Sequence, residues 1–491
     1  MVHTLTRRSP QEPAVQHGET RDEVMAAVNW SLSHGVGFKV EAHLMRQVPF
    51  SLSPSVIDRD DYARLARAAS LLGRLIHGVA QDSDFLEQAI APVAKGDPFF
   101  SGLLRMHRRI HAGATPYRPL PVLIMRSDFL EDSELGYQLV EFNGIAAGMG
   151  PFGQRIHELH SFLQQRNPSH FMRWSPPHSG ELVANPALTR LGQGIASAAQ
   201  QVREESGQPG KPVMLMVVQE GEDNIYDQRL LETELLCQGV TTVRRTFREL
   251  YGALSTGANR RLLLRGVGGI DFVYLRAGYH YRDYVANDIR HEPCSEALAK
   301  TRIFMERHRV AINATVAQQL ATSKRVQLLL GQMSPQQLSR FGLTQEQARL
   351  ILPLLKASFP VSAQTLAWLD QQPLDNWVLK NQGEGGGHCL FGEEMAAPLA
   401  IMKPPEYPAW LLMRRLRPAA RGQAALLVRN GQALVVPELV SEIGLFSVHI
   451  DGQQAYGDSG YAGYLVRSKP AEVAEGGVHS GMGVLDSLVF R

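Results

Sequence analysis

Residues 378–395 read VLKNQGEGGGHCLFGEEM. Lys380 closes a short apolar run, and Gly385, Gly386 and Gly387 stand between Glu384 and His388. Glycine has nothing to pack and loses the most backbone freedom on folding, so three in a row serve no core. They leave backbone N–H groups bare, which suits an anion, and the lysine adds a point charge. Glu384 would repel a phosphate unless a cation lay between them. The loop therefore reads as a grip on a metal–nucleotide complex. A Walker loop puts its lysine after the glycines and before Ser or Thr, which fails here, and G-x-G-x-x-G fails at His388. A plain glycine hairpin between two strands is the other reading.

Three further stretches carry matching chemistry. In LVEFNG (139–144), strand alternation puts Glu141 and Asn143 on one face, with Val140 and Phe142 turned to the core. A carboxylate and an amide oxygen side by side suit Mg²⁺, a hard ion that takes oxygen ligands. In YLVRSKPAEVAEGGVHSG (464–481), Arg467 and Lys469 share a strand face, and a second glycine loop, Glu475 to Gly481, follows. Arg126 in IMRSDF and Arg276 with Tyr279 in YLRAGY read as cations at the ends of apolar strands, where α/β sheets put ligand contacts. An exposed strand face or an ordinary salt bridge accounts for each of these singly. Together they describe an enzyme handling Mg-nucleotide and a carboxylate-rich substrate.

The rest of the chain bounds that reading. It has 491 residues, with 50 Lys plus Arg against 48 Asp plus Glu. That balance excludes a dedicated nucleic-acid or membrane-surface binder, since both need a clustered positive field. Three widely spaced cysteines, Cys237, Cys294 and Cys389, fit neither a disulfide framework nor a zinc pattern, and point to a reducing cytoplasm. No apolar stretch is long enough to span a bilayer, and the N-terminus reads as a flexible tail rather than a signal peptide. Leu65, Ala69, Leu72, Ile76 and Val79 recur at helical period. VMLMVV (213–218), the helical stretch ending at Gly239, VTTVRRTF and IDFVYLRAGY alternate strand, helix, strand, which predicts a parallel α/β sheet. Helices are expected from about 297 to 359. Strands return around Trp377, at Ala424–Val428, Leu434–Val436, Ile443–Ile450 and Tyr464–Arg467.

These stretches resemble one family. PFSLSPS, FLEQ, RSDF, VEFN, EDNIYDQRLLETELL, VRRTF, YLRAGY, LKNQGEGGGHCLFGEEM, SEIGLF and VRSKPAEVAEGGV follow in the order found in the eukaryotic-type glutathione synthetases, a circularly permuted branch of the ATP-grasp ligases. The resemblance implies an α/β ATP-grasp fold with a parallel α/β substrate-binding domain and a glycine-rich lid. It divides the chain into a tail (1–20), an N-terminal helical and core part (21–212), the substrate-binding domain (213–322), a helical return (323–352), the lid domain (353–436) and a C-terminal core part (437–491). It implies ATP-dependent joining of γ-glutamylcysteine and glycine through an acyl phosphate, in a cytoplasmic homodimer. A ligase using β-alanine or serine, or a non-catalytic nucleotide-binding homologue, are the alternatives.

Residue by residue, the resemblance makes Glu141, Asn143 and Glu384 the Mg²⁺ ligands. Lys324, Lys380 and Gly385 to Gly387 would hold the phosphates of ATP. Phe391, Met413, Arg414, Arg415 and Leu416 would surround the base, with Glu442, Lys469 and Glu475 also on the nucleotide. Arg126 and Arg467 would be catalytic and would touch the peptide substrate. Ala146, Ala147, Gly148, Glu222, Asp223, Asn224, Gln228, Arg276, Tyr279, Val478 and His479 would form the rest of its pocket. Four places depart from the family pattern. Ala146 and Gly148 stand for serines, Ala277 for an aspartate, Arg414-Arg415 for a Glu-Lys pair, and His479-Ser480 for two alanines.

Overall fold

The structure, a computed structural model, describes residues 18–113, 118–289, 294–383, 389–418, 421–473, 476–479 and 482–491. Of the residues named above, Glu384 to His388, Glu475, Ser480 and Gly481 lie outside the described residues. Among the described residues no helix is long and apolar enough to cross a membrane.

The fold is mixed α/β around one large mixed sheet. Its centre is Leu120–Asp132, a thirteen-residue strand that serves two kinds of neighbour. Leu120 and Pro121 pair in parallel with Ala311–Asn313, and beyond that strand Phe272–Leu275, Val213–Val217 and Thr241–Arg245 continue the parallel half. On its other edge Val122 to Leu130 pair antiparallel with Leu439–Ile450, which pairs in turn with Tyr461–Pro470. The parallel half is the α/β sheet expected from its apolar runs.

Both faces of the sheet are covered. Leu123 and Met125 enter one core with the helix Arg59–Gln81, whose Leu65, Ala69, Leu72, Ile76 and Val79 are all fully buried. Val122 and Ile124 point the other way, into a core shared with Gly150–Arg166 and Ala187–Glu205. A sheet buried on two faces reads in sequence as continuous apolar runs rather than as alternation. A separate four-stranded antiparallel sheet, in the order Ser358–Pro360, Trp410–Arg414, Trp377–Asn381, Cys389–Phe391, carries the ends of the glycine loop.

Three expectations need correction. Ala311–Asn313 is a fully buried strand inside the stretch expected to be helical, and three residues between helices carry no period to read. Arg126 sits in mid-strand, not at a strand end, because the strand runs on to Asp132. Val140 does not turn to the core. A β-bulge shifts the register so that Asp128 faces Glu141 while Phe129 faces Leu139. The extra residue lets Leu139 and Phe142 both enter the core, and Val140 joins Glu141 and Asn143 on the cleft side.

One buried group sets an acid limit on this fold. His160, in Gly150–Arg166, has Nε2 2.8 Å from Ser51 O and Nδ1 2.6 Å from Ser487 Oγ. A carbonyl only accepts, so Nε2 carries the proton and Nδ1 accepts from the hydroxyl. Burial holds this imidazole neutral, down to about 3. Its folded pKa lies below its unfolded one, so the unfolded chain binds the extra proton below about pH 6.5 and stability falls as pH drops toward 3. Between pH 6 and 4 the unfolding free energy of the native chain should fall more steeply than that of His160→Gln, by about 1.4 kcal/mol per pH unit. Urea titrations across that range measure it, and parallel slopes would refute it.

Candidate active site

A cleft of about 980 Å³ lies between the large sheet and the four-stranded sheet. Its centre is cationic around one acid. The β-bulge projects Glu141 into it, with Lys324 Nζ 3.7 Å from the carboxylate. Lys324 opens the helix Lys324–Gln332, where Ser323 Oγ caps by accepting from Val326 N, and its Nζ also donates to Gly383 O at 2.7 Å. Lys380 leaves the facing strand Trp377–Asn381, and its Nζ lies 3.5 Å from Val140 O. Burial works to raise the Glu141 carboxyl, but Lys324, Lys380, Arg467 and Arg126 overcome it and hold it down at about 2. Glu141 is thus a permanent anion among four cations.

Below this centre the strands bring a second cluster together. Arg126, Asn143, Glu442, Arg467 and Lys469 all line the cleft. The ladder sets Asn143 opposite Arg126, and Arg467 opposite Glu442, with which it forms a close ion pair. Asp128, to which the sequence assigned no role, is fully buried at the hub. It accepts from Arg126 Nε (2.6 Å) and Nη2 (2.7 Å), from Asn143 Nδ2 (2.9 Å) and from Arg467 Nη2 (3.1 Å). Its signal was present in RSDF, because an acid two places after an arginine in a strand shares its face.

One end of the cleft is an apolar slot. Met413 and Leu416 pack there with Val140, Val378 and Phe391, and the Arg415 guanidinium lies 5.8 Å from the Phe391 ring. Arg414 forms a close ion pair with Glu134. The N–H groups of Arg414 and Arg415 already donate to Ala357 O and Asn376 O.

At the other end the guanidinium of Arg276 is buried, and its Nη1 donates to Ala146 O at 2.8 Å. A Cβ on Gly148 would lie 2.7 Å from Nη2, so glycine there makes room for the guanidinium. The Asn224 amide bridges Arg276 and Glu222, 3.2 Å from each, with its oxygen to the cation. Tyr279 Oη donates to Gln219, and Asp283 Oδ2 gathers the N–H groups of Gly278, Tyr279 and His280 to shape the turn. Val478 and His479 close this end. The His479 ring lies tilted against Phe38, centroids 4.4 Å apart, with Nδ1 3.2 Å from Asp223 Oδ2.

Three of the residues named from sequence stand behind the cleft wall. Gln228 is buried, donating to Glu222 and accepting from Arg244. Asp223 faces His479 on the outer side, and Ala147 packs into the second core. Asp227 was missed. Its buried carboxylate accepts from Met149 N (2.9 Å) and Phe152 N (3.2 Å), fixing the loop that presents Ala146 and Gly148. A capping acid on another helix leaves no mark in a one-dimensional pattern.

Among the described residues no group of three or more Asp, Glu, His or Cys converges as a metal cluster. Glu141 and Asn143 offer a carboxylate and an amide oxygen, the hard donors Mg²⁺ takes when phosphates and waters complete its shell.

Comparison with known proteins agrees with this geometry. The chain is 28% identical to human glutathione synthetase over 487 residues, covering 94% of this chain and 95% of that protein. It is 26% identical to the glutathione synthetase large chain of Schizosaccharomyces pombe, covering 94% and 96%. In structure it is similar to a glutathione synthetase-like effector from Globodera pallida in its apo form, with a TM-score of 0.71 and 17% identity over 98% of this chain and all of that one. The sequence profile of the eukaryotic glutathione synthase ATP-binding domain runs from residue 18 to residue 490, through both walls of the cleft, and the chain belongs to that family.

Proposed function

We propose that the protein is a glutathione synthetase, joining γ-glutamylcysteine to glycine at the expense of ATP. The observation that carries this reading is the convergence of Glu141, Asn143, Lys324, Lys380, Arg126 and Arg467 on one cleft. A carboxylate is a poor electrophile. Transfer of the γ-phosphoryl group to the cysteinyl carboxylate makes an acyl phosphate and ADP, and attack by the glycine amine then expels phosphate. Such a transfer depends on positioning and charge neutralisation, which explains a site built of cations.

Lys324 and Lys380 hold the phosphate tail, and the slot at Met413, Leu416 and Phe391 takes the base. Glu141 and Asn143, with Glu384, would hold Mg²⁺, which when bound neutralises the β- and γ-phosphates. Arg126 and Arg467 lie against the reacting carboxylate and the oxygens that become negative on it. Glu222 and Asn224 suit the amino group of the γ-glutamyl end, and Arg276 its carboxylate. By the family resemblance the glycine loop 384–388, which lies outside the described residues, would cover the phosphates. The same reading makes the fold a circularly permuted ATP-grasp and the enzyme a cytoplasmic homodimer.

Phosphate release measured with γ-glutamylcysteine and each of glycine, β-alanine and serine tests the reaction. Turnover should require an amine and be fastest with glycine. Faster turnover with β-alanine would reassign the acceptor, and ADP formed with no acceptor and no matching phosphate release, the phosphoryl group staying on the product, would make the protein a kinase.

A further inference from the structure

We propose that Asp128 is a positioning residue that decides which atom of Asn143 faces the cleft. The inference rests on the reading of Glu141 and Asn143 as metal ligands. An ionised carboxylate can only accept hydrogen bonds, and an amide has one donating and one accepting end. With Asp128 fully buried 2.9 Å away, Asn143 turns its NH₂ toward it and leaves Oδ1 for the cleft. Without that acceptor the amide has two nearly isosteric orientations, and the wrong one offers a metal two N–H groups.

The placement of Asp128 is itself built. Arg126 grips it from the same strand through Nε and Nη2, and Arg467 reaches it from Tyr461–Pro470. From Leu439–Ile450, Gly444 pairs directly with Asp128. A Cβ on Gly444 would lie 2.6 Å from Asp128 Oδ1 and 2.7 Å from Arg126 Cδ. Glycine in SEIGLF thus leaves the space that the Arg126–Asp128 pair fills. One carboxylate consequently fixes two cations and one neutral oxygen donor, the role that outer partners of metal ligands commonly play.

The test is Mn²⁺ binding, followed by its EPR signal, in the presence of a non-hydrolysable ATP analogue. Asp128→Asn should weaken Mn²⁺ by about 10- to 100-fold. The exchange D128N/N143D restores a matched pair in reverse, with the amide at position 128 donating and the carboxylate at position 143 facing the cleft. It should recover the greater part of the loss, which a merely structural role for Asp128 would not produce. Because the exchange keeps both the charge and the atom count of the pair, it carries the test if D128N alone does not fold. Glu141→Gln is the control. If E141Q weakens Mn²⁺ and D128N does not, the inference fails while the site reading stands. An exchange that folds and binds no better than D128N also overturns it. If neither E141Q nor D128N changes binding, the metal reading itself is wrong.

Discussion

Glu141→Gln should lower kcat for ATP-dependent ligation by about a hundred- to a thousandfold, the scale seen when one preorganised electrostatic contact is removed. The substitution keeps shape and removes only charge. In the native cleft that charge is secure, because Lys324, Lys380, Arg467 and Arg126 hold the carboxyl ionised against its burial. Glutamine removes the negative charge beside Lys324 and Lys380, while Arg126 and Arg467 keep Asp128, and it withdraws one anionic oxygen from the metal. The side chain lies on the cleft wall, a quarter exposed, so its loss removes no core packing. Single-turnover phosphate release together with a thermal melt separates the effects. A variant that loses less than about tenfold in rate, or that unfolds, would refute the assignment.

Arg302→Met should destabilise the chain by about 3–5 kcal/mol. Arg302 and Glu306 are both buried one helical turn apart, with Nε 2.7 Å from Oε1. Glu306 also accepts from Val316 N at 2.9 and 3.0 Å, and so caps the short helix Val316–Ala321. Arg302 Nη2 reaches Ala314 O. Burial raises the Glu306 carboxyl and Arg302 opposes it, so losing the cation strands an acid in the core. Converting the pair to apolar residues, R302M/E306L, should recover part of the loss. Recovery stays incomplete because the cap on Val316, worth about 1 kcal/mol, goes with Glu306. Urea unfolding of the two variants decides it. Equal stabilities would mean that the stranded charge is not the cause.

What the sequence made legible follows from how local each signal is. Val213–Val217 and Phe272–Leu275 were readable because strands buried on both faces write continuous apolar runs. Arg59–Gln81 was readable from its period. Lys380, Glu141 and Arg467 stood out as polar residues in or beside such runs, and the family resemblance supplied Lys324 and the substrate end. The hub at Asp128 was legible only in part: RSDF puts Asp128 on the face of Arg126, but Arg467 and Gly444 come from strands more than 300 residues away, and pairing between distant strands leaves no local trace. The strand Ala311–Asn313 was too short for any period to emerge.

The hairpin from Leu120 to Asn143 has one residue too many for strict pleating, and that surplus sets its parity. Every side chain after Val140 sits on the opposite face from where counting by twos from Leu139 would send it. Removing Val140 alone would make the numbers even: Leu139 and Phe142 would stand two apart and keep to the core by simple alternation, with Glu141 between them still turned to the cleft. What would go is Val140 itself, whose carbonyl meets Lys380 and whose side chain joins the apolar slot. The surplus residue thus serves the cleft and not the core.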